Sequence, residues 1–171
     1  MNFKVGDMSV HPHHGVGEVI AIEAKLFGEI EKDFYVVKIA RSGLTVMVAT
    51  DAAARLGLRR VISRKRAKEV LETLRSRELH VTSKPWNRRF RAYTTMINSG
   101  SIDDVAKVLC DLSRIRIGKD LSFGERGLLE KARGLLVNEL AIARRCRTQH
   151  IENEIDQLLA EKTAPAHVSS A

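Results

Sequence analysis

The apolar positions of this chain change their period once, near residue 62. Before that point they fall in short runs. Val16, Val19, Ile20 and Ile22 follow the turn-rich His11-Pro12-His13-His14-Gly15, Phe34–Ile39 is β-branched and aromatic, and Leu44–Val48 follows a Ser42-Gly43 turn signal. Gly28 marks a turn between the first two runs, and Leu58–Ile62 reads as a closing strand or the exit from a small barrel. From Ser63 onward the spacing is helical. Ala67, Val70, Leu71 and Leu74 form one stripe, and after a break at Val81–Lys84 a second carries Trp86, Phe90, Tyr93 and Ile97. A third helix starts at Ser101 and buries Ile102, Val105, Ala106, Leu109 and Leu112, with Asp104 placed to offset the exposed amides of its first turn. A turn over Gly118–Leu121 leads to Ser122-Phe123-Gly124-Glu125, which has capping-box spacing and opens a fourth helix on Leu128, Leu129, Ala132, Leu135, Leu136 and Leu140. Ile151, Ile155, Leu158 and Leu159 give a shorter fifth.

These elements predict a segregated α+β fold. Residues 1–62 form a small antiparallel barrel of the SH3 or Tudor sort, residues 63–162 a five-helix bundle, and residues 163–171 a frayed tail. With 171 residues and 44% hydrophobic content, the chain can bury a core in each part. The opening Met-Asn-Phe-Lys-Val-Gly-Asp has no apolar h-region, and no run reaches membrane-spanning length, so a soluble cytoplasmic protein is expected. Cys110 and Cys146 fit no zinc spacing and read as reduced structural thiols.

Charge sharpens this picture. The net charge is +8, but residues 1–60 carry eight Lys/Arg against seven Asp/Glu, whereas residues 61–100 carry ten against three. The basic excess is therefore greatest around the only tryptophan, in Lys84-Pro85-Trp86-Asn87-Arg88-Arg89-Phe90-Arg91. A large apolar wedge beside several guanidinium groups suits a protein that presses on a base step while holding the flanking phosphates. Helical register pulls the other way, because Trp86 lies on the stripe of Phe90, Tyr93 and Ile97 that should face the core. The same register leaves Arg88, Arg89 and Arg91 off that stripe and solvated.

Catalytic chemistry finds little support. His11, His13 and His14 sit in a Pro-Gly turn with only Asp7 nearby in sequence, and Gly15 and Gly17 form a lone G-x-G. No nucleophile elbow, phosphate-cradling glycine loop or H-E-x-x-H motif occurs. The expectation is a monomeric binding protein with no cofactor, metal, membrane or small-molecule substrate. Two other binding roles use the same residues: an SH3-like RNA- or ribosome-associated protein with Trp86 stacked on an unpaired base, and a protein-docking bundle with solubilising arginines.

Taken in order, Phe3-Lys4-Val5-Gly6-Asp7, Val10-His11-Pro12-His13-His14-Gly15, Phe34-Tyr35-Val36-Val37-Lys38-Ile39, Trp86-Asn87-Arg88-Arg89-Phe90-Arg91 and Lys119-Asp120-Leu121-Ser122-Phe123-Gly124-Glu125-Arg126 resemble the CarD/CdnL family of bacterial transcription regulators. The likeness runs from about Phe3 to about Leu159, and its W-N-R-R and D-L-S-F-G-E-R blocks are specific. The resemblance implies that the N-terminal domain binds the β subunit of RNA polymerase. The helical domain would contact promoter DNA at the upstream edge of the forming bubble. Carried onto this chain, Trp86 becomes the minor-groove wedge, with Arg88, Arg89 and Arg91 as phosphate contacts. The polymerase-facing edge would be Leu44, Val46, Met47, Val48 and Ala49, with Lys25. Some members have Arg where this chain has Met47, and many have Pro where it has Ala49, which implies a less electrostatic polymerase contact here.

Overall fold

The computed structural model describes residues 2–75 and 85–161; the expected break at Val81–Lys84, Lys84 itself and the tail lie outside them. Five strands, β1 (Met8–His11), β2 (Gly15–Phe27), β3 (Ile30–Ile39), β4 (Thr45–Ala49) and β5 (Arg59–Arg60), form one antiparallel sheet in the order β4-β3-β2-β1-β5. β2 and β3 are joined by two residues, with Gly28 at φ 65°, as a tight hairpin with glycine in its first central position requires. The register slips between Val19 and Ala21, so Ile20 is a bulge. Before it Val19 points into the core, and beyond it Glu23–Phe27 is exposed on both faces.

The barrel expectation is corrected: β4 and β5 are the two edges of the sheet and do not pair with each other. Closure fails because the final strand is short. Only Arg59 and Arg60 pair, against Val10 and Ser9, before the chain turns into the first helix. The sheet still wraps a core of Phe3, Val19, Tyr35, Val37, Ile39, Val48, Ala53 and Leu58, and Phe3 meets Tyr35 edge-to-face at 5.5 Å.

The helical part contains α1 (Arg64–Arg75), α2 (Trp86–Asn98), α3 (Ile102–Gly118), α4 (Phe123–Arg144) and α5 (Thr148–Glu161). The stripes read from sequence converge on one core, in which Leu74, Tyr93, Ile97, Val108, Leu112, Leu136, Leu140, Ile151 and Ile155 are fully buried. Tyr93 donates to Asp111 at 3.4 Å, and burial, then the Asp111 charge, raises its phenol well above the usual range. Among the described residues no helix is long and apolar enough to cross a membrane.

Candidate functional site

Helix α2 begins without the devices that stabilise its neighbours. Its N-cap is Pro85 (φ −54°, ψ 149°), which offers no side-chain hydrogen bond, and its first turn has no acidic residue. By contrast, Ser101 Oγ caps α3 by accepting from the Asp104 amide, and Ser122 and Glu125 form the full capping box of α4. The first turn of α2 instead carries Trp86, Arg88 and Arg89.

Along α2 the apolar stripe climbs out of the core. Ile97 and Tyr93 are fully buried, Phe90 is 39% exposed, and Trp86 is half-buried, packed on the core from its rim. The Trp86 and Phe90 rings meet edge-to-face at 5.3 Å, and both lie over Gly124, where an added Cβ would come within 3.2 Å of the indole. A side chain at residue 124 would push the indole aside, so a glycine here lets α4 approach Trp86 closely. Trp86 is thus neither a core residue nor a free one: it packs against the core while staying partly exposed.

The three arginines part company. Arg88 and Arg91 are exposed, as expected for solvated groups. Arg89 is a correction: its side chain is only 12% exposed and donates to Glu125 Oε1 at 3.0 Å, while its guanidinium lies 5.7 Å from the Trp86 ring centre. Its Nε is buried without a hydrogen-bond partner. Glu125 is 2% exposed. Burial pushes its carboxyl up, but hydrogen bonds from the Ser122 amide and hydroxyl and the charges of Lys119 and Arg89 outweigh it, leaving the pKa below the ordinary value. The α4 capping carboxylate therefore also anchors the first turn of α2.

One exposed group escaped the sequence reading. Phe123 is 90% exposed at the first position of α4, one residue before the Gly124 that Trp86 and Phe90 cover. The signal was present: Phe123 lies off the Leu128, Leu129, Ala132 and Leu136 stripe, an apolar residue with no core to face. Trp86 and Phe90 form an aromatic pair at the rim of the core, with Arg88 and Arg91 close by in sequence and Lys119, 56% exposed, reaching Glu125 at 3.6 Å.

In the sheet, β4 is an edge strand that among the described residues pairs with β3 alone, so one side of its backbone has no ladder partner there. Its side chains alternate. Val46 and Val48 turn inward, Val48 into the core at 4% exposure, whereas Met47 points outward at 37% and Ala49 is half-buried. Leu44, just before the strand, is 46% exposed. Ladder register puts Lys25, Met47 and Ala49 on the outer face of the sheet, together with Phe27, Ile30 and Phe34, which the sequence reading did not single out. Phe27 and Phe34 stack at 5.6 Å, and Phe27 and Ile30 are 60% and 63% exposed. Of the expected contact residues, Val46 and Val48 serve this edge through backbone and core packing, not through exposed side chains.

The histidine turn is packed at its centre and open at its tip. Pro12 is buried, His13 and His14 are exposed, and His11 Nδ1 accepts from the His13 amide at 3.2 Å. Burial, then the neighbouring His14 and His13, lowers the His11 pKa to about 4. Among the described residues no group of three or more His, Cys, Asp or Glu is arranged to hold a metal ion.

Comparison with known proteins agrees with this two-part layout. Residues 3–62 match the model of the CarD-like/TRCF RID domain, and residues 69–156 match that of the CarD C-terminal domain. The chain is 30% identical over 151 residues to the "Putative transcription factor YdeB" of Bacillus subtilis (strain 168), covering 88% of this chain and 98% of that protein. With both domain models matched in order and a relative matched over nearly its whole length, the chain belongs to the CarD family.

Proposed function

We propose that this protein is a transcription regulator that binds the β subunit of RNA polymerase with a Tudor-like N-terminal domain, residues 1–62, and promoter DNA with a helical domain, residues 63–162. The observation that carries the reading is the start of α2: a half-buried tryptophan at an uncapped helix end, with Arg88 and Arg91 exposed beside it. A helix start without acids favours phosphate, and two exposed guanidinium groups add sequence-independent affinity. The outer edge of Trp86 enters the minor groove at the upstream edge of the bubble, while its inner edge stays packed on the bundle. Arg89, engaged with Glu125, holds the wedge in register and is not itself the phosphate contact.

Unstacking or kinking a step costs a few kcal/mol, so a wedge that fits only the distorted junction lengthens the life of open DNA by that differential affinity. Tethering through Leu44, β4 and the outer face carrying Lys25, Met47 and Ala49 makes the DNA contact local, so weak nonspecific affinity suffices. No base-reading helix is needed, and the protein acts without catalysis.

Open-complex lifetime on a promoter, measured with the parent and with Trp86→Ala, tests this reading. The variant should shorten the lifetime by about tenfold or more, the equivalent of roughly 1.4 kcal/mol, while polymerase capture is unchanged. Arg88→Ala and Arg91→Ala should each weaken binding to all duplexes alike and lower the salt slope by roughly 1. Equal lifetimes with parent and Trp86→Ala would remove the wedge. Tighter binding to single-stranded RNA than to fork-junction DNA would move the protein to an RNA-associated role.

A further inference from the structure

Between sheet and helices lies a junction that neither proposed contact uses. Arg59 of β5 donates from Nη1 to Glu139 Oε1 at 2.5 Å and from Nη2 to Oε2 at 2.8 Å, and its Nε donates to the Gly100 carbonyl at 2.8 Å. Glu139 Oε1 also accepts from the Ile62 amide at 3.3 Å. One guanidinium therefore ties together the last strand, the turn between α2 and α3, and the C-terminal part of α4. The Glu139 side chain is 4% exposed, so this two-bond fork stands largely out of water, where it fixes orientation as well as distance.

The packing around the fork is equally close. Buried Pro12, from the histidine turn, lies against Gly57 and Gly100, where added Cβ atoms would come within 2.8 and 3.5 Å of its ring. Gly15 abuts Leu135, and the Arg41 guanidinium covers Gly134 on α4. The β-ladder contributes little here, since β5 pairs through two residues only.

We propose that Arg59 and Glu139 are positioning residues for promoter opening, fixing the angle at which a polymerase-held sheet presents Trp86 to DNA. This inference rests on the function proposed above. β4 and β5 are opposite edges of one sheet. If β4 is held by polymerase, the β5 junction decides where the helices point. A rigid joint delivers the wedge at one distance and orientation, whereas a swivelling joint spreads it over many, most of them unproductive. Breaking the strut should leave tether and wedge intact and uncouple their joint action.

The test uses the full chain with Glu139→Ala and Arg59→Lys, the second keeping the positive charge while losing the fork. Rotational tumbling by NMR relaxation should show the parent as one body and both variants as two faster ones. Polymerase capture and affinity for plain duplex should stay within about twofold, while open-complex lifetime falls about tenfold for Glu139→Ala and less for Arg59→Lys. Variants that still tumble as one body would show that the strut does not hold the joint. Parental lifetimes on a loosened joint would show that orientation does not matter. A parent that does not prolong open complexes would instead overturn the function proposed above, and the tumbling result would still decide whether Arg59 and Glu139 hold the joint. Should Glu139→Ala fail to fold, Arg59→Lys decides the same two questions.

Discussion

The starts of α2 and α4 lie against each other and follow opposite rules. α4 has a serine cap, a reciprocal glutamate and a carboxylate in its first turn, the arrangement that satisfies orphan amides and suits the helix dipole. α2 has a proline cap, no acid, and two arginines in its first turn, charges of the wrong sign for that dipole. The difference teaches that α2 is not optimised for its own stability. What it lacks is supplied by its neighbour, because Glu125 completes the α4 box and also neutralises Arg89. The two helix ends form a single electrostatic unit, outside which Arg88 and Arg91 stay exposed.

Breaking that shared carboxylate should have the largest effect. Glu125→Ala removes half of the capping box and strands Arg89 in a site where it is only 12% exposed, so unfolding free energy should drop by about 3–5 kcal/mol in denaturant titration. The sign of the pH dependence follows from the lowered carboxyl. Because the folded-state pKa lies below the unfolded value, the stabilisation is present above about pH 4.5 and is lost as pH falls through the folded pKa. The acid limb of the stability profile should accordingly be shallower in Glu125→Ala than in the parent. An unchanged acid limb would mean that the two helix starts do not share this charge.

Trp86→Ala comes next. A fully buried tryptophan would cost about 3–5 kcal/mol, but this ring is packed on one side only, and a loss of roughly 2 kcal/mol is expected from thermal or denaturant unfolding. A smaller cost belongs to the cap alone. Ser122→Ala should lose about 1 kcal/mol and leave the Arg89–Glu125 pair in place, which separates the capping half of the unit from the charge half.

The helical stripes and the serine caps of α3 and α4 were legible in the sequence because they depend on residues three and four apart. Three features were not. The outer half of β2 buries neither face, so Glu23–Phe27 shows no alternation to read, and the strand runs well past Ile22. Barrel closure depended on β4 meeting β5, a non-local pairing that strand spacing cannot report. The burial of Arg89 needed Glu125, 36 positions away. Register rightly flagged both sides of Trp86, since the stripe that buries Tyr93 and Ile97 continues to the rim. The same logic applied to Phe123 identifies it as an exposed aromatic at the start of α4.

The smallest effect is the most revealing, because it reverses the sign of the usual design. Pro85 already has the extended backbone that an N-cap requires, so Pro85→Asp would place a capping carboxylate where α2 has none. It should stabilise the helical part by about 0.5–1 kcal/mol, through one satisfied amide and a favourable charge at the positive end of the helix. The same carboxylate would stand one residue before Trp86 and, on the proposed function, repel the phosphates assigned to Arg88 and Arg91. Duplex affinity should therefore fall while melting temperature rises, and the loss should shrink at high salt as the added charge is screened. A variant that gains both stability and affinity would show that the uncapped start of α2 is an accident of sequence and not a concession to binding.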